Sequence, residues 1–151
     1  MEFKVRRAGP GDAGTLAAFQ AAMALETERK VLDPERVEKG VGHILDHPER
    51  GYYLVAEAGG RPVGCLMVLY EWSDWRGGEV LWVHSVYVVP DCRGAGAFRE
   101  MFGRVKREAA ERTDVHGIRL YVERDNRTAA AVYRHCGLDD GHYRLFEWMK
   151  E

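Results

Sequence analysis

Phe3 and Val5 alternate with charged residues, the period of a short strand with one covered side, until Gly9-Pro-Gly-Asp12 breaks the pattern. A helix is expected over about 13–28, with Asp12 placed to cap it. Asp33-Pro34 then sets an acidic cap before a proline at the first helical position, opening a second helix. That helix turns Val37, Val41, Ile44 and Leu45 inward, is weakened by Gly40 and Gly42, and ends near His47-Pro48. Two strand-like runs, 52–58 and 62–72, are joined by Gly59-Gly60, a hairpin signal, and Gly77-Gly78 separates them from a third run over 80–89. The middle of the chain therefore reads as an antiparallel meander. Helix 99–112, strand 117–123 and helix 126–135 follow, with Gly137 as the expected residue after the last helix, and a short strand over 142–148 closes the chain. The order β-α-α-β-β-β-α-β-α-β predicts an α+β or mixed α/β sheet covered by helices.

Composition narrows this picture. The 151 residues, 46% hydrophobic, suit one domain spanning 1–151, with no linker, repeat or low-complexity tract. The net charge of -2, with both signs interspersed, exerts no pull towards nucleic acid or an anionic membrane. The amino-terminal stretch lacks a run of signal-peptide character and nowhere do eighteen apolar residues follow one another, so a cytoplasmic protein is expected. Cys65, Cys92 and Cys136 show neither CxxC nor Cys/His spacing; they read as three thiols, and no metal is expected.

The stretch carrying most chemistry is Val86 to Phe98, VYVVPDCRGAGAF. A strand ending where a helix begins aims unpaired N–H groups and the positive end of the helix dipole at one spot, which favours an anion. Glycines at 94 and 96 let the backbone approach a bulky one, although a tight strand-to-helix connection alone would explain them equally well. The dinucleotide fingerprint fails at Arg99, and no GK[ST] follows.

These residues resemble the acetyl-CoA-binding signature of the GNAT acetyltransferases, with Arg93 and Gly96 matching and Pro90 just ahead. A second segment, LYVERDNRTAAAVYRHCGL, resembles another element of the same family through Asn126, Ala129, Tyr133 and Gly137. The resemblance covers essentially the whole chain and implies a mixed, mostly antiparallel central sheet flanked by about four helices. It departs at Phe98, where the family has Gly or Ala. It implies that backbone amides of Arg93, Gly94, Ala95, Gly96, Ala97 and Phe98 hold the pyrophosphate of acetyl-CoA. Val86 and Val88 would pair with the pantetheine arm, the Val86 N–H would polarise the thioester carbonyl, Asn126 would bind the arm, and Tyr133 would protonate the departing thiolate. Outside that context, Tyr133 reads as a core aromatic and Asn126 as a helix cap.

An amine acceptor of pKa ~10 must lose a proton before it attacks a thioester, so a base is needed. With a strand period of two, Trp82, His84, Val86 and Val88 share one face, and His84 falls where family members place a base. A satisfied, partly buried strand histidine is the plain alternative. In Tyr70-Glu-Trp-Ser-Asp-Trp75, the rings of Trp72 and Trp75 and the carboxylates of Glu71 and Asp74, joined by Glu26 from the first helix, could frame a cationic acceptor. Packing of the tryptophans against the body or a second subunit is the competing account. The expectation is an acetyl-CoA-dependent N-acetyltransferase acting on a small-molecule primary amine or polyamine by direct attack in a ternary complex. The alternative is a non-catalytic acyl-CoA-binding module, and a homodimer fits the exposed aromatics.

Overall fold

The computed structural model describes residues 1–150. Strands and helices follow in the order β1 (Lys4–Arg7), α1 (Ala13–Glu28), α2 (Pro34–Asp46), β2 (Gly51–Ala58), β3 (Arg61–Ser73), β4 (Gly78–Val88), α3 (Ala97–Glu111), β5 (Val115–Leu120) and α4 (Arg127–His135). The chain forms two compact units, Met1–Arg119 and a second beginning at Leu120.

In the first unit the strands lie side by side in chain order, and β1 to β4 are joined by antiparallel ladders. The β2–β3 hairpin closes on Gly59 and Gly60, both at positive φ, with Ala58 opposite Arg61; this two-residue turn matches the right-handed twist of the strands. Directly opposed residues of an antiparallel pair project to the same side. One face therefore collects Tyr53, Val55, Cys65 and Met67, and α1 and α2 cover it with Leu16, Phe19 and Val41. The other face collects Leu54, Leu66 and Val68, which are fully buried, and α3 turns its buried Met101, Phe102 and Val105 inward. These layers consist of closely packed aliphatic, aromatic and sulfur-containing side chains, and their burial is the main force holding the sheet between its helices.

Asp12 does not cap α1. Its carboxylate instead accepts the Gly9 N–H at 2.8 Å and two Arg6 N–H groups at 2.8 Å, tying β1 to the short 3-10 turn ahead of the helix. The Arg6 hydrogen bonds hold the Asp12 carboxyl below the usual carboxylate range. Asp33 does cap α2, accepting from the Glu35 N–H at 3.1 Å, and Pro34 occupies the first turn, where no donor is lost.

In the second unit, Asn126 caps α4 through its side-chain oxygen, which accepts from Ala129 N–H at 3.1 Å. The helix ends in a Schellman motif: Gly137, at φ +90°, donates to Arg134 O, and Leu138 donates to Tyr133 O. The strand expected over 142–148 does not form. A strand exists only where a neighbour accepts and donates along it, and these residues carry no ladder, so the sheet has five strands among the described residues.

Candidate functional site

The third strand of the meander positions the site, and it does so through a register change. Met67 stands opposite His84, but Cys65 stands opposite Tyr87, so Leu66 alone faces both Ser85 and Val86. Ser85 takes φ +53°, and the extra residue forms a β-bulge. Two weak sulfur contacts secure it from below: Gln20 donates to Cys65 Sγ at 3.7 Å, and the Cys65 thiol donates to Ser85 O at 3.6 Å.

The bulge corrects the expected single face. Trp82 and His84, opposite Leu69 and Met67, lie on the α1/α2 side with Tyr87, whereas Val88, opposite Gly64, lies on the α3 side. The period-of-two reading failed because an inserted residue inverts every position after it. The sequence here, Val-His-Ser-Val-Tyr-Val-Val, is too continuously apolar after the serine to reveal the inversion.

His84 is half-buried and stacks on the Trp82 ring at 6.0 Å. Burial pulls its imidazole below the ordinary histidine value, so the ring is neutral at pH 7 and can accept a proton.

Beyond β4 the chain passes through a 3-10 turn at Pro90–Cys92 into an exposed loop, then into α3. Gly94 and Gly96 stand at φ +74° and +101°, conformations that side chains rarely adopt. Gly96 is the N-cap of α3 and brings no side-chain oxygen to the helix end. The donors and the dipole of a fifteen-residue helix thus meet an exposed turn that is free of Cβ atoms at two of its positions. That arrangement fits a diphosphate. The Phe98 ring stacks on Phe102, one turn along α3, at 5.5 Å and 15°, so the bulk at the position departing from the family pattern packs along the helix.

Arg93 has a structural part that sequence reasoning missed. Its Nε donates to Val88 O at 2.8 Å, its terminal nitrogen pairs with Glu26 at 2.6 Å, and its guanidinium lies 5.5 Å from the Tyr87 ring centre. The side chain ties the loop to β4 and to α1. No single-sequence signal pairs 26 with 93.

Of the five candidate acceptor residues, Glu26 is thus brought to the anion turn and not to the β3–β4 hairpin. Glu71, opposite Val80, shares the side of His84 and pairs with Arg119 at 3.3 Å. Trp72, opposite Glu79, projects to the other side and is 64% exposed. Asp74 and Trp75 are exposed in the hairpin turn. In the second unit, Asn126 is engaged as the α4 cap, and its amide nitrogen is the group left over for other donation. Tyr133 is half-buried, and desolvation raises its phenol above the usual tyrosine range, keeping it protonated at neutral pH. Among the described residues, no group of three or more His, Cys, Asp or Glu could hold a metal ion, and no helix is long and apolar enough to cross a membrane.

The model of the acetyltransferase (GNAT) family matches residues 19–138. The chain belongs to the GNAT acetyltransferase family. A possible acetyltransferase from Clostridium difficile 630 is 35% identical, superimposes with a TM-score of 0.91 and is covered over 99% of its length by the whole of this chain. A predicted acetyltransferase from Clostridium acetobutylicum, solved with acetyl-CoA, shares the fold at 19% identity and a TM-score of 0.76, with 99% of this chain and 96% of that one covered. An uncharacterized N-acetyltransferase of Methanocaldococcus jannaschii is 28% identical over 98 residues, 64% of this chain and 42% of that protein. The matched region therefore spans about two fifths of the length of that curated relative.

Proposed function

We propose that the chain, as a single domain over 1–151, is an acetyl-CoA-dependent N-acetyltransferase that acetylates a primary amine of a small molecule by direct attack. The observation carrying this reading is the loop of Gly94 and Gly96 at positive φ, the latter an N-cap without a side-chain acceptor, which follows bulged β4 and the 3-10 turn after it. Acetyl-CoA, when bound, supplies an acyl group already activated as a thioester. Amides from Arg93 to Phe98 hold the pyrophosphate at the α3 amino end. The Val86 N–H, next to the bulge, donates to the thioester carbonyl oxygen and stabilises the negative charge that develops there. Val88, whose carbonyl already accepts from Arg93 Nε, pairs with the pantetheine arm through its remaining backbone hydrogen-bonding capacity. Asn126 contributes its amide nitrogen to the arm.

The neutral His84 ring accepts the proton of the attacking amine, directly or through one water. Tyr133 holds the proton required by the departing sulfur. Glu71, on the side of His84, and the exposed Asp74 and Trp75 of the hairpin favour a cationic amine over an acidic acceptor, while Trp72 faces the other side and Glu26 acts through Arg93 at the turn. Cytoplasmic work on a soluble amine or polyamine, without nucleic acid or membrane, completes the proposal.

Calorimetric titration of acetyl-CoA against dephospho-CoA, followed by an amine panel scored by free-thiol release, tests it. Binding with release for an amine is the expected result. Binding without release across primary amines and polyamines would make the protein an acyl-CoA-binding module, and absence of binding would overturn the turn assignment.

A further inference from the structure

Cys65 is fully buried on the α1/α2 face of the sheet, in a layer with Leu16, Phe19, Tyr53 and Tyr87 where a small aliphatic side chain would also pack. Its sulfur is engaged on three sides all the same. Gln20, a buried polar residue of α1, donates its amide to the sulfur at 3.7 Å, and the Tyr87 backbone hydrogen-bonds to it. The thiol donates to Ser85 O at 3.6 Å. A carbonyl oxygen only accepts, so the direction of that last bond is fixed.

What the thiol grips is one end of a rigid unit. Leu66 faces both Ser85 and Val86, so the ladder to β3 leaves one residue of β4 without a regular partner. Ser85 holds φ +53°, a conformation that residues bearing a Cβ adopt rarely and keep only where their surroundings impose it. The Ser85 carbonyl and the Val86 N–H belong to the same planar trans peptide and point in opposite directions. A hold on the oxygen is therefore a hold on the hydrogen. Were the extra residue absorbed into a regular ladder, the positions beyond it would invert, and the Val86 N–H would be re-aimed with them.

We infer that Cys65, steadied by Gln20, is a positioning residue whose thiol fixes the Ser85–Val86 peptide and so aims the Val86 N–H at the place where a thioester oxygen gathers charge. The inference rests on the proposed acetyl transfer, in which that N–H is the donor to the oxygen. A donor fixed in advance needs no reorientation as charge develops, so loosening it costs turnover rather than cofactor binding.

Cys65→Ala removes the hydrogen bond and leaves every residue of the cofactor turn in place. With an amine that the wild type accepts, the variant should lose about 10- to 100-fold in kcat, the scale on which a misplaced group slows a reaction. Its KM for acetyl-CoA and its calorimetric affinity should stay within about two-fold of wild type. An unchanged kcat overturns the inference, and so does an equal loss of kcat and affinity, which a packing role would produce. Backbone NMR of the full chain supplies a readout independent of catalysis. The Ser85 Cα and Cβ shifts should report a left-handed residue in the wild type and move towards strand values, or broaden, in Cys65→Ala; identical shifts in the two overturn the inference. Should the variant fail to fold by circular dichroism, Cys65→Val, which restores volume without a donor, is read in the same way. A wild type that transfers acetyl to no amine overturns the catalytic reading and the role built on it, while the Ser85 shifts still tell whether the thiol holds the peptide, so the two failures are separable.

Discussion

His84 and Tyr133 are each held in the protonation state their proposed work needs, for the same physical reason: burial disfavours the charged form of both. His84→Gln should lower kcat by ~10²-fold or more, and the acid limb of the wild-type kcat/KM profile should fall below the ordinary histidine value of about 6.5. Stability carries the same signature. The unfolded histidine takes up its proton before the folded one, so the stability linked to this site is fully present above pH ~6.5 and declines as pH falls through the depressed folded value. Urea midpoints measured from pH 7.5 to 5 should fall less steeply in His84→Gln. Tyr133→Phe should depress turnover by roughly 10²-fold while leaving calorimetric affinity for acetyl-CoA largely intact; equal loss of both would make the phenol a packing group. Both residues were singled out in the sequence as positions that the family resemblance implies. Their protonation states were not, because burial belongs to the surrounding elements. Asn126 shows how two accounts coexist: its oxygen is a helix cap, as the plain reading had it, and its nitrogen is still a donor.

Turns were the most legible part of the architecture. Gly59-Gly60, Asp33-Pro34 and Gly137 mark element boundaries through local backbone chemistry alone, and all four helices lie where the punctuation places them. The bulge at Ser85 and the missing strand over 142–148 were not legible, since both depend on what lies alongside: an apolar run fixes no register, and a strand-like sequence supplies no neighbour. The loop before α3 yields a direct test. At Gly96, φ +101° makes alanine strained, at a cost of about 1–2 kcal/mol. Gly96→Ala should therefore lower Tm by about 2–8 °C and weaken acetyl-CoA binding by calorimetry. A stable variant with unchanged affinity would remove the turn from the binding account.

Long-range ties set how the first unit responds to acid. Arg6 bridges Asp12 and Glu57, linking β1, the 3-10 turn and β2. Because Arg6 depresses the Asp12 value, stability from this tie is present above the unfolded carboxylate value of about 3.9 and is lost as pH falls through the folded one. Asp12→Asn should reduce the Tm at pH 7 and diminish its further fall between pH 4 and 2, read by thermal melts. Sulfur shows a different kind of protection. Burial pushes the Cys65 thiol up to about 12, and Cys92 is 2% exposed, leaving Cys136 as the more accessible of three thiols. A chromogenic disulfide reagent should label Cys136 in the native chain well before Cys65 and Cys92, and all of them in guanidinium. Cys65, hydrogen-bonded to the bulge beside which the proposed thioester is held, is kept by burial in the thiol form, and the thiolate is the form that would exchange with it. On the proposed function, burial would thus keep a sulfur beside the acylating agent from becoming an accidental acceptor, and spare the protein inactivation by its own substrate.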